Sequence, residues 1–488
     1  MPLKLALLLA SVCFIAACGS GSSDPAPTST QQPPPTVIQR CDIDPSLPPA
    51  ILVACEDLLA RAGEPPDEVV SVTPREWPDT CLGVPEPGEV CAQILVPGYE
   101  VLFAVGSNRY TYHTDEDANA RFAGFQIRRP GEDAGAEIVA RGLGAVAFDF
   151  TPDGRLFFNL RELGEIRVVD LASGVADDGA VFAQVEVFTG SECGLIGIAI
   201  DPEFASNGYV YVYATQPVAN TDAVGKPRVI RYTDVDGVGT DPLVLIDDLP
   251  RTNPRTCAHV GGNLHFGPDG YLYLSIGNNE RSAEAVAANL GSPLGKILRL
   301  NKEDGSAAPG NPFEGDPNAD PRVYAYGLRN TFDFAFHPLT GEIYAPDNGP
   351  GNCDELNLIQ PGRDYGVPNS LSSAESTTCL GLGGQDPVYL FARDGLPPTE
   401  FGSNVAPAGV AFLREGTYPG LGTGLLVCEF LTRNLRLLEF EGVDQDIVSR
   451  DEVIFEGCRF NVEIAPDGLI YYSFDDAILR LPPAALGP

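Results

Sequence analysis

Lysine is nearly missing from this 488-residue chain, which has only Lys4, Lys226, Lys296 and Lys302. Even with Arg added, 31 basic residues face 67 acidic ones, a formal net charge of −36. Such a balance excludes a phosphate backbone as partner, so no nucleic acid is expected. Histidine is scarce too: His113, His259, His265 and His337 are the whole supply of imidazole bases and ligands. No CxxC pair occurs, which removes the usual framework of a zinc cluster. Beyond the N-terminus no apolar run approaches the roughly 18 residues that a membrane-spanning helix requires. Apolar and aromatic residues are plentiful at 44% and 9%, enough for a buried core and too much for a disordered chain. The length suits a repeat-built domain with a smaller module beside it.

At the N-terminus, Lys4 precedes the apolar run LALLLASVCFIAA, which has the length of a signal-peptide core. It ends in IAAC, residues 15–18, followed by Gly19 and Ser20. This resembles the bacterial lipoprotein signal, which implies a signal peptide over 1–17 and a lipid on Cys18; an ordinary secretory signal cut near Ala17 is the alternative. Either one exports the protein. The absence of Asp after Cys18 implies, on the same resemblance, an outer-membrane or cell-surface location. Residues 18–40, rich in Pro and Ser, read as a semi-extended tether.

Ten cysteines remain once Cys13 and Cys18 are set aside. In an oxidising compartment they favour disulfides over metal. Proximity pairs Cys41 with Cys55, Cys81 with Cys91, Cys353 with Cys379 and Cys428 with Cys458, leaving Cys193 with Cys257; other pairings stay open on sequence alone.

Residues 41–128 read as a small disulfide-containing α+β module. PAILVACEDLLARAG at 49–63 has helical apolar spacing, Val69 to Val72 form a strand, and 76–115 give turns followed by alternating strands. The WPD, LG, PGY and YTYH sequences of this stretch resemble a module of exported bacterial proteins. From 140 to 485 one pattern recurs six times, an apolar strand, a Pro-Asp-Gly-like turn and a second strand, as in AFDFTPDGRLFFNL, LHFGPDGYLYLSIG and VEIAPDGLIYYSF. Six such units, each able to supply a four-stranded sheet, predict an all-β chain: a six-bladed β-propeller preceded by the α+β module.

Several segments resemble the soluble glucose/sorbosone (aldose sugar) dehydrogenase family: GLIGIAIDPEFASNGYVYV at 194–212, CAHVGGNLHFGPDGYLYLSIG at 257–277, LGKILRLNKEDGSAAPGNPF at 294–313 and the long YAYGLRNTFDFAFHPLTGEIYAPDNGPGNCDELNLIQPGRDYGVPN at 324–369. The resemblance implies an oxidoreductase that uses pyrroloquinoline quinone (PQQ) and calcium on a propeller, with a sugar as substrate. His259 then becomes the general base and Arg329 a catalytic and cofactor-binding residue beside Asn330, Glu192 and Asn278, while the carbonyls of Gly349 and Pro350 hold the metal. The residues themselves agree: a His beside two glycines admits a ligand, and a guanidinium fork clamps a carboxylate. Plainer readings are a loop His and an ion pair for Arg329 between neighbouring sheets. Asp354 and Glu355 read as loop-organising and structural, His265 as a non-core strand position and His337 as a turn residue. Departures from the family pattern are Ala258 and Asn278 where acids are usual, Glu192 for Gln, Val367 for Trp, and CRFN at 458–461 where Arg-x-Arg-Asp is expected. They leave a second class of function open, a non-catalytic propeller binding glycans or proteins at the cell surface.

Overall fold

The computed structural model describes residues 41 and 47–486, apart from 63–65, 67, 85–88, 90, 106–107, 128–134, 143, 174–177, 220, 254–255, 282–285, 367–383, 394 and 443–444. Cys18 with its tether, Val367 and Cys379 therefore lie outside the described residues. One compact unit ends at Gln126 and a second begins at Ile127.

In the first unit, helix α1 (Pro49–Ala62) places Ile51, Ala54, Cys55 and Leu58 on one stripe, the result of their three- and four-residue spacing. That stripe packs on Val101, Phe103, Val105 and Tyr112 of a sheet. The sheet runs β1 (Glu68–Trp77), β2 (Val96–Val105), β3 (Asn108–Asp115) and β4 (Ala120–Ile127) in that order. β1 is longer than the sequence suggests, because its pairing with β2 continues to Trp77, opposite Val96. Trp77 ends buried, with its ring 3.8 Å from that of His113 and its Nε1–H donated to the Thr114 carbonyl at 2.8 Å. His113 Nδ1 meets the Leu82 carbonyl at 2.8 Å, so this histidine has a structural role. Disulfides Cys41–Cys55 and Cys81–Cys91 close the unit's loops.

Among the described residues the second unit holds six four-stranded sheets, over 148–184, 195–246, 264–326, 335–391, 407–456 and 462–481, the last completed by β5 (Glu137–Arg141). Each recurring segment singled out above supplies the first two strands of one sheet. Glycine closes the tight turns between them because the backbone there is left-handed, with φ of 88° at Gly154 and 82° at Gly468.

Six apolar clusters join the sheets pairwise. Phe157 and Phe182 of the first meet Ile198 and Tyr232 of the second. Tyr213 meets Leu298, Tyr273 meets Ile343, Tyr344 meets Leu438 and Leu437 meets Tyr472. Phe148 and Phe158 of the first sheet then pack with Tyr471 and Ile478 of the sixth. The sheets therefore form a closed, propeller-like ring. β5 completes it by pairing with the last strand, Ile478 opposite Ala140. It starts at Glu137, just ahead of the boundary at 140 read from the repeats.

Buried carboxylates tie neighbouring sheets through backbone donors. Asp149 accepts the Ile200 N–H at 2.7 Å. Asp333, with no solvent exposure, accepts the Val410 N–H at 3.0 Å, the Asn263 amide at 2.8 Å and His265 Nε2–H at 2.7 Å. Burial opposes a charge on His265, but the Asp333 and Asp149 carboxylates outweigh it and raise its pKa above 6.5. Asp333→Asn, which halves the acceptors available to three donors, should destabilise by about 1–3 kcal/mol. The pair's contribution is complete below pH 6.5 and fades as pH climbs through the raised His265 value. Urea unfolding at pH 6 and pH 9 measures both, and an equal cost at the two pH values would refute the ion-pair account.

Candidate active site

Loops at one end of the ring converge on a cavity of about 490 Å³, a size ordinary for small-molecule sites. His259, Glu192, Arg329, Asn330 and Gly349 all line it. The sequence had scattered these residues over more than 150 positions, and the ring brings them together. Asn278 stands behind the wall, and Pro350 follows the lining Gly349.

His259 has a left-handed backbone, φ 53°, two residues after Cys257 at φ 48°. Such a conformation costs energy in a residue with a side chain and has to be held by its surroundings. The Cys193–Cys257 disulfide, with Cα atoms 5.8 Å apart, ties this loop to the one carrying Glu192. Glu192 donates its N–H to the Cys257 carbonyl at 3.2 Å and accepts the His259 N–H on Oε2 at 2.7 Å. At Gly261 a Cβ would lie 2.6 Å from the Gly277 nitrogen, so only glycine lets the loop pass.

The imidazole's tautomer follows from its partner. Asn278 Oδ1 accepts the Glu280 N–H at 3.0 Å, which fixes it as an acceptor, and it lies 3.0 Å from His259 Nδ1. Nδ1 must therefore carry the proton, leaving the Nε2 lone pair free. Burial and then the Arg329 cation hold the pKa down to about 4, against the smaller opposing effects of Asn278 and Glu280. The ring is neutral and able to accept a proton at physiological pH. Asn278→Asp would replace a neutral acceptor by a carboxylate and should lift this pKa by about 1–3 units. NMR titration of the ring reports the shift, and an unmoved titration would count against Asn278 as the group that sets it.

Arg329 is placed by its backbone. Asp347 accepts its N–H at 2.7 Å and that of Asn330 at 2.6 Å, and burial pushes the Asp347 carboxyl up to about 6. The guanidinium donates to the Asn348 carbonyl at 2.6 Å and, among the described residues, makes no ion pair. A fixed inter-sheet ion pair is thereby corrected, and the cation is left available to a ligand. Burial lowers the pKa of the guanidinium, and Asp347, Glu192, Asp354 and Glu280 offset that only in part.

The loop after strand Ile343–Asp347 is organised by Asp354, which accepts the Gly349 N–H at 2.8 Å and the Val405 and Ala406 N–H groups at 2.7 Å each. A Cβ on Gly349 would sit 1.8 Å from the Asn352 carbonyl oxygen. Among the described residues neither the Gly349 nor the Pro350 carbonyl accepts a hydrogen bond, and the buried Asn348 Oδ1 has no partner. Unpaired oxygens of this kind suit a hard cation. Glu355 lies on the fully buried strand Asp354–Ile359, its carboxyl pushed well above the usual range first by burial and then by Asp347.

Other lining residues carried no signal in the sequence. Arg161 donates to the Ser191 and Cys193 carbonyls. Arg459, insecurely aligned by motif, lies 4.5 Å from the Phe430 ring and pairs with Asp475, while its Nε is buried without a partner. Cys428–Cys458 fastens the strand before Phe430 to the loop before Arg459. Cys353 is also disulfide-bonded, and Cys379 lies outside the described residues. The cavity thus combines one neutral imidazole, three arginines, unpaired carbonyls and an apolar wall of Phe332, Phe430 and Phe460. In a chain of net charge −36, three arginines around one cavity mark an anion-receptive point.

Known proteins resemble this chain in sequence and fold. The aldose sugar dehydrogenase YliI of Escherichia coli is 24% identical over 342 residues, 68% of this chain and 87% of its own length. A crystal structure described as a glucose dehydrogenase from Thermus thermophilus superposes with a TM-score of 0.58 at 32% identity, covering 71% of this chain and 98% of that one. The PQQ-bound aldose sugar dehydrogenase of Streptomyces coelicolor gives 0.56 at 26% identity, covering 70% and 95%. Residues 51–122 match a domain of unknown function, DUF8738. Residues 144–481 match the Glucose / Sorbosone dehydrogenase family along nearly the whole ring, and the chain belongs to that family.

Proposed function

We propose that this protein is an exported, lipid-anchored dehydrogenase on a six-bladed β-propeller that oxidises aldose sugars with PQQ and calcium. The observation that carries the reading is a neutral His259 with a free Nε2 beside an unpaired Arg329 in one cavity. The residues fit the cofactor: Arg329, with Asn330 next to it, would hold carboxylate groups, and the unpaired Gly349 and Pro350 carbonyls would hold calcium. Bound there, PQQ supplies a two-electron acceptor and calcium a positive charge beside it.

His259 Nε2 takes the proton of the sugar hydroxyl as the carbon loses hydride, while Nδ1–H stays on Asn278 and keeps the ring aimed. Phe332, Phe430 and Phe460 give the cavity an apolar wall. The anchor rests on Cys18 and the Pro-rich tether; palmitate labelling should be lost in Cys18→Ala, and retention of label would remove the anchor from the reading.

Purified protein with PQQ and calcium should reduce an electron-accepting dye when supplied with aldoses. Folded, fully disulfide-bonded protein that fails to bind PQQ would point to the non-catalytic surface-binding propeller.

A further inference from the structure

Two carboxylates line the cavity, Glu192 and Asp354. Both Asp354 oxygens are taken by backbone donors, Oδ1 by Gly349 and Oδ2 by Val405 and Ala406. Glu192 is held less completely. Its Oε2 accepts the His259 N–H at 2.7 Å and the Asn330 amide only at 3.4 Å, and the Val260 N–H is a further donor. Its remaining compensation is the Arg329 cation, the same charge that an anionic ligand would claim.

The surrounding charges do not replace that cation. On the Glu192 loop, Arg161 is spent on the Ser191 and Cys193 carbonyls and on Glu162, and Arg459, the third arginine of the cavity, pairs with Asp475. On the 257–262 loop, His259 is neutral at physiological pH. Glu280, Asp347 and Asp354, on the loops around Arg329, are all acidic. Burial already pushes the Glu192 carboxyl up against its donors. A second negative charge in this cavity raises it further, and uptake of a proton relieves the conflict.

We propose that Glu192 sets the charge the site accepts, so that a carboxylate-bearing ligand at Arg329 enters together with one proton taken up by Glu192. This rests on the cavity being a PQQ site and makes cofactor loading tighter as pH falls. A Gln at this position would bind the same ligand without the proton.

The test is calorimetric titration of the full exported chain with PQQ at saturating calcium, between pH 5 and pH 8. Two buffers of different ionisation enthalpy count the protons taken up. Wild-type protein should take up as much as one proton, with its dissociation constant rising up to about tenfold per pH unit over part of the range. Glu192→Gln should bind with an affinity nearly independent of pH and take up none. Its thermal unfolding midpoint checks that the His259 loop survives. Wild-type binding without proton uptake overturns the coupling whatever the variant does, as does equal uptake in both proteins. Absence of PQQ binding by either protein at every pH overturns the cofactor reading together with the coupling.

Discussion

Replacing His259 by Ala should lower sugar turnover by about 10²–10⁴-fold while PQQ remains bound, because a positioned general base contributes on that order and touches the substrate proton rather than the cofactor carboxylates. The fall should appear in kcat and in kcat/KM alike. Asn278, Glu192 and the Cys193–Cys257 disulfide stay in place in the variant, so the loop keeps its anchors. The wild-type acid limb supplies a second signature: with the imidazole pKa held near 4, activity should persist well below pH 6 and fail only as pH falls through about 4. Steady-state rates with bound quinone followed by absorbance decide the matter. A variant with unchanged turnover would remove His259 from the chemistry.

Arg329→Ala should act on the other half of the site. Removing one partner of a buried, charge-assisted contact costs about 2–5 kcal/mol, which at 1.4 kcal/mol per tenfold weakens PQQ binding from roughly thirty-fold to several thousand-fold. The backbone N–H that Asp347 accepts belongs to the main chain and survives the substitution, so the loop's path should persist. Arg329→Lys should recover only part of the affinity, since an ammonium lacks the planar fork. Equilibrium titration with calcium present measures the change. Undiminished binding in the Ala variant would mean that Arg161 or Arg459 bears the anionic load.

The ring was legible because the strand-turn-strand segments carry their own local instructions: apolar strands around a short turn, which in three of the six units is Pro-Asp-Gly closed by a left-handed glycine. β5 was not, because EIVAR is a lone five-residue strand outside the repeat whose partner lies near the other end of the sequence. β1 ran past its expected end because pairing with β2, not local propensity, decides where it stops. At the site, His259 and Arg329 stood out through a scarce residue type and a long motif. Arg161, Asn348, Phe430 and Phe460 did not, since each is unexceptional in its own loop and acquires meaning only where several loops meet. Asn278 shows the limit most plainly: as sequence it is a lost acid, and in the folded chain it is the acceptor that fixes a tautomer.

The clasp formed by β5 has a bearing on how the chain is made. Glu137 pairs with Arg480, 343 positions later. Closing so long a loop carries a large entropic cost, and contacts of such separation form slowly. Synthesis delivers the early partner long before the late one, so until the end the first sheet has an exposed flank where the sixth will pack. On the proposed export route, strands that have already reached the far side can form only an open arc of sheets with that flank uncovered, and the ring closes only when the final strands arrive.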